Sequence, residues 1–79
     1  MRELKETMSR LGALVRFHRR KAGLTQIQLA ELADVGKATV YDIEKGKTTV
    51  QMDKLFPVLA VLNVDIDFSG PLDAAFEEW

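Results

Sequence analysis

The sequence predicts an all-α bundle of four helices followed by one short C-terminal strand. Three observations point there. Apolar residues recur at helical spacing in four stretches, each followed by a glycine, aspartate or asparagine that tolerates a left-handed backbone. One five-residue stretch near the C-terminus instead alternates apolar and polar residues. The chain has 79 residues and no internal repeat, which allows one small domain.

Each element has its own signal. Residues 1–8 read as an N-terminal extension. From Ser9 to Ala22 the spacing predicts a helix burying Leu11, Leu14, Val15, Phe17 and His18, with Gly23 as its stop. Thr25 is a good N-cap for a second helix, Gln26 to Ala33, with Ile27, Leu29, Ala30, Leu32 and Ala33 inward. Asp34-Val35-Gly36 breaks it, since Asp34 and Gly36 both tolerate positive φ. Lys37 to Glu44 forms a third helix with Val40 and Ile43 inward, ended by Gly46. After a loop over 47–51, a fourth helix runs from Met52 to Leu62, burying Met52, Leu55, Val58, Leu59 and Leu62. Pro57 lies in its interior, removes one backbone bond to Asp53 and is expected on the solvent side. Asn63 suits a left-handed stop. The helical domain thus covers 9–63. Val64-Asp65-Ile66-Asp67-Phe68 is the strand, and Ser69-Gly70-Pro71 breaks it. Residues 69–79 read as a flexible acidic tail carrying Leu72, Phe76 and Trp79.

Composition narrows the function. There is no cysteine, which excludes disulfides, thiolate zinc sites and thiol catalysis. One histidine, no phosphate-cradling glycine loop and no carboxylate cluster with a base argue against an enzyme, a metal site or a cofactor. His18 reads as a half-buried packing residue. No apolar run approaches a membrane span and no signal-peptide pattern opens the chain, so a cytoplasmic setting is expected.

Charge is sorted by position. Eleven basic and twelve acidic residues leave a net charge of −1. Residues 1–23 nevertheless hold seven basic residues against two acidic ones, a net +5. Residues 24–49 net −1, and residues 50–79, with Lys54 against six acids, net −5. A basic front can meet phosphate while an acidic rear faces elsewhere.

Two short helices joined by about three residues describe a helix-turn-helix unit. In such a unit the first helix braces against the DNA backbone and the second presents its N-terminal half to the major groove. The residues are more specific than the spacing. Gly23-Leu24-Thr25-Gln26, Leu29-Ala30, Val35, Thr39-Val40, Ile43-Glu44 and Gly46-Lys47 resemble the signature of the xenobiotic-response-element/lambda-repressor-like helix-turn-helix family, over about Leu11 to Ile66. That resemblance implies a lambda-repressor-like bundle and a double-stranded DNA partner. It assigns Lys37, Ala38, Tyr41 and Asp42 to base edges, and Thr25, Gln26, Thr39 and Lys47 to the DNA backbone. By base-edge chemistry Lys37 suits guanine O6/N7, Ala38 a thymine methyl and Asp42 cytosine N4. It also implies a buried ion pair between Arg19 and Glu44. Two positions depart from the pattern: Asp34 stands where the family usually has glycine, and Gly36 where a polar side chain often contacts DNA.

A lone strand needs a partner for its ladder groups, and the sequence offers no second one. The simplest solution is the same strand of a second copy, antiparallel across a two-fold axis, with Val64, Ile66 and Phe68 against the helices. Burial arithmetic favours a partner too. Surface scaling gives about 4,800 Å² folded against roughly 12,900 Å² unfolded, a thin margin for a monomer. Such a homodimer would read a palindromic operator. The domain, short strand and acidic tail together are similar to HipB-type antitoxins. These repress their own operon and restrain a HipA-like serine/threonine kinase toxin, which implies a bacterial cytoplasm, nucleoid association at the operator, and toxin docking through Phe76 and Trp79. The alternatives are a stand-alone phage-type or regulatory repressor, and an interaction adaptor that has lost DNA binding.

Overall fold

The computed structural model describes residues 3–79, and its four long helices all end in the same way. They are α1 (Leu4–Lys21), α2 (Gln26–Ala33), α3 (Lys37–Glu44) and α4 (Met52–Val61), with a short α5 (Asp73–Glu77) in the tail. Gly23, Asp34, Gly46 and Asn63 follow them in turn, each with φ between 56° and 81°. At every end two backbone N–H groups fold back onto the last turn: Gly23 to Arg20 and Leu24 to Arg19, Asp34 to Glu31 and Val35 to Ala30, Gly46 to Ile43 and Lys47 to Asp42, Asn63 to Ala60 and Val64 to Leu59. This Schellman pairing satisfies carbonyls the helix itself leaves open. The residue after the left-handed position normally packs inward. Leu24, Val35 and Val64 do so, each half-buried against the core. At the third end that residue is Lys47, which forms a 3.4 Å ion pair with Asp42 instead.

The core is Val15, Leu29, Ala30, Ala33, Val40, Ile43, Leu55, Val58 and Leu59. Helices α1 and α2 both pack on α3, and α4 packs on α2. Glycine sets the closest approach. A Cβ at Gly12 would lie 2.3 Å from the Ile43 carbonyl oxygen, and one at Gly46 would lie 2.9 Å from the Ser9 Cα. The backbone of α1 therefore rests directly on the end of α3.

Several sequence expectations are corrected by the structure. The buried stripe of α1 is Met8, Leu11, Gly12 and Val15, so Leu14 and Phe17 fall outside it and are exposed. The helix begins at Leu4 rather than Ser9, which brings Met8 into it. On the short α2 only one narrow face reaches the core, and Ile27 and Leu32 stay exposed. Met52, at the first residue of α4, is exposed as well, while Pro57 is half-buried rather than solvent-facing. Gly36 has φ −72° and serves as the N-cap residue of α3, so only Asp34 uses the left-handed region in that turn.

The C-terminal strand is also corrected. Among the described residues there is no strand, and residues 64–70 run as irregular backbone. Val64 is spent on closing α4, its N–H donating to Leu59 O at 2.9 Å. Among the described residues, no backbone hydrogen bond pairs residues 65–68 with another segment. Ile66, 41% exposed, and Phe68, 85% exposed, line a cleft with Phe56, Leu59 and Ala60 of α4 without being buried there. In the tail Asp73 accepts hydrogen bonds from Ser69 Oγ (3.1 Å) and the Gly70 N–H (2.9 Å), ahead of α5. No helix of the described residues is long and apolar enough to cross a membrane.

Candidate nucleic-acid interface

Helices α2 and α3 form the paired unit, and α2 starts with a complete capping box. Thr25 Oγ1 accepts from the Gln28 N–H at 3.0 Å, and the Thr25 N–H donates to Gln28 Oε1 at 2.9 Å. The Thr25 hydroxyl keeps its own proton free to donate outward.

Beneath α2 lies an ion-paired network. Arg19 Nε and Nη2 donate to the two carboxylate oxygens of Glu44, at 2.6 and 3.0 Å. Arg19 Nη1 donates to the Leu24 carbonyl at 2.9 Å. Both side chains are nearly buried, with 12% and 5% of their surface exposed. The hydrogen bond to Glu44 raises the Arg19 pKa further above its ordinary value, more than burial lowers it. Glu44 Oε1 accepts a third bond, from Gln26 Nε2 at 3.1 Å. One carboxylate thus ties α1, the start of α2 and the end of α3 together, and it fixes the side chain of Gln26. This fork geometry is the strong form of such a pair.

The outward face of α3 carries Lys37, Ala38 and Tyr41 exposed, with Thr39 and Asp42 half-buried. Lys45 Nζ sits 5.1 Å above the Tyr41 ring, a cation–π contact that holds the phenol in place. Asp42 is held by Lys47, which mutes its charge on this face. Three clefts surround the face. Thr25, Gln26 and Lys37 line the first, Gln26 and Tyr41 the second, and Thr39, Asp42 and Lys47 the third. Seven of the eight residues assigned to DNA line these clefts, and the eighth, Ala38, is exposed on α3.

The third cleft also contains Thr49, Gln51 and Lys54, which the sequence reading missed. Lys54 had a signal, being the one basic residue between positions 50 and 79. Val64, Ile66 and Phe68 lie elsewhere, in an apolar cleft with Phe56, Leu59 and Ala60. Phe76 and Trp79 are exposed, their rings stacked 6.3 Å apart. His18 is half-buried, edge-on to Phe17 at 5.4 Å.

Residues 15–69 match the helix-turn-helix family. A protein of Sinorhizobium fredii (strain NBRC 101917 / NGR234), named an uncharacterized HTH-type transcriptional regulator, y4mF, is 41% identical over 66 residues, which span 84% of this chain and 87% of that protein. With the paired α2–α3 unit at its centre, the chain belongs to the helix-turn-helix family.

Proposed function

We propose that the protein is a DNA-binding transcriptional repressor that acts as the antitoxin of a toxin–antitoxin pair, binding its own operator and a HipA-like kinase. The observation that carries the DNA-binding part is the exposed face of α3 between clefts lined by Lys37 and by Lys47 with Lys54. Lys37, Ala38, Tyr41 and Asp42 meet base edges in the major groove, and Thr25, Gln26, Thr39 and Lys47 meet the sugar-phosphate backbone. A salt titration of binding to duplex DNA tests this. A steep fall of log affinity with log salt supports phosphate contacts, and a flat line returns the fold to the adaptor reading.

The operator-bound form is a homodimer joined through residues 64–68. Supporting this, the chain exposes 6187 Å² against about 4,800 Å² for a folded monomer of its mass. Its radius of gyration is 14.1 Å, where about 11.6 Å is usual for this length. Met52, Phe56 and Ala60 form an exposed apolar stripe on α4, and the last two line one cleft with Ile66 and Phe68. A second copy would cover it and bring two α3 helices about 34–36 Å apart. Sedimentation that finds only monomer at micromolar concentration removes this part.

The antitoxin part rests on the tail, where Phe76 and Trp79 stand exposed among acids as aromatic anchors for a protein partner. Removing Leu72–Trp79 is expected to leave operator binding intact and to weaken binding to a HipA-type kinase. Unchanged kinase affinity refutes the tail's role. A stand-alone repressor is the second reading, favoured by the relative named for transcriptional regulation.

A further inference from the structure

We infer that Arg16 and Arg20 of α1 seat DNA backbone phosphates on the two sides of Gln26, outside the helix-turn-helix unit itself. The inference rests on the DNA-binding reading above. Arg16 and Arg20 are four residues apart and share one face of α1. Like charges at that spacing weaken an isolated helix slightly, so the pair does nothing for the stability of α1. Both are exposed, and among the described residues neither has a carboxylate within ion-pair distance. Glu44, the one acid that lines a cleft with them, already accepts three hydrogen bonds from Arg19 and Gln26.

Each arginine shares a cleft with a lysine at one end of α3, Lys37 at its start and Lys45 just past its last residue. Arg20 lines the cleft that holds Thr25, Gln26 and Lys37. Arg16 lines the cleft that holds Gln26, Tyr41 and Lys45. Gln26 stands between them, fixed by Glu44. Two cations from different helices on either side of a cleft make a seat for one phosphate, and guanidinium is the better binder of its oxygens. Lys37 and Lys45 lie about 12 Å apart along α3, so the two seats take different phosphates. Arg10 is the internal comparison. It is exposed on the same helix but lines none of these clefts.

The test uses the full chain and a fluorescently labelled random-sequence duplex, with affinity measured over a series of salt concentrations. Each of Arg16→Gln and Arg20→Gln is expected to reduce the slope of log affinity against log salt by about 0.9, and the double variant by about 1.8. Arg10→Gln leaves the slope as in the unaltered protein. Thermal melts that match the parent show that all variants fold. If the Arg16 and Arg20 variants keep the parental slope, or if Arg10→Gln lowers it equally, the seats are refuted while DNA binding stands. If the parent protein itself shows no salt dependence, the DNA-binding reading falls and the seats fall with it.

Discussion

Residues 3–63 and residues 64–79 solve the problem of buried surface in opposite ways. The helical part closes every long helix with a left-handed residue, ties three of its helices through Glu44, and leaves no buried side-chain polar atom unpaired among the described residues. The rear part buries nothing fully. Ile66, Phe68, Leu72, Phe76 and Trp79 are all exposed. A region that leaves its apolar residues largely exposed contributes little to the stability of the monomer and is available for contact with another molecule. The front half is a finished scaffold, and the rear is a surface.

The sharpest way to break that contrast is through the ion pair of the scaffold. Arg19→Met leaves Glu44 nearly buried with only Gln26 as partner and is expected to cost about 3–5 kcal/mol, read as a large drop in melting temperature. An unchanged midpoint would show that the pair does not hold the helices together. Gly12→Ala comes next. Glycine to alanine inside a helix ordinarily stabilises by about 1 kcal/mol. Here the added Cβ meets the Ile43 carbonyl, so a net loss of about 1–3 kcal/mol is expected in chemical denaturation, and a gain would mean α1 can move away freely. Asp34→Gly acts in the other direction. It relieves a left-handed residue with φ 56° and should stabilise by about 1 kcal/mol in the same measurement. Deleting Leu72–Trp79 has the smallest effect: every residue removed is exposed, so the melting curve should stay within about 0.5 kcal/mol of the parent. A larger loss would make the tail part of the scaffold.

The helix ends were legible in the sequence because they are local. Gly23, Gly46 and Asn63 announce a left-handed backbone by residue type alone, as Thr25 announces a cap. Much of the candidate interface was legible for a related reason: its residues cluster around two short helices and the turn between them. Which apolar face is buried was less so. Leu14, Phe17, Ile27, Leu32 and Met52 have the right chemistry and spacing yet are exposed; on α1 the inward face is the one where Gly12 lets the backbone meet the end of α3. Residues 64–68 show the same limit. Their alternation is real, yet Val64 serves the end of α4, and among the described residues the others find no strand to pair with. Arg16 and Arg20 were visible as charges, but their relation to Lys45 and Lys37 exists only once α1 lies on α3.

The contact at Gly12 and Gly46 reaches beyond stability. Main chain against main chain has no rotamers through which to slip, so α1 and α3 shift as one body or not at all. The spacing between the basic face of α1 and the outward face of α3 is therefore set before any ligand arrives. An interface built this way gives up less conformational entropy on association than one assembled from mobile loops, and more of its contact energy remains as affinity.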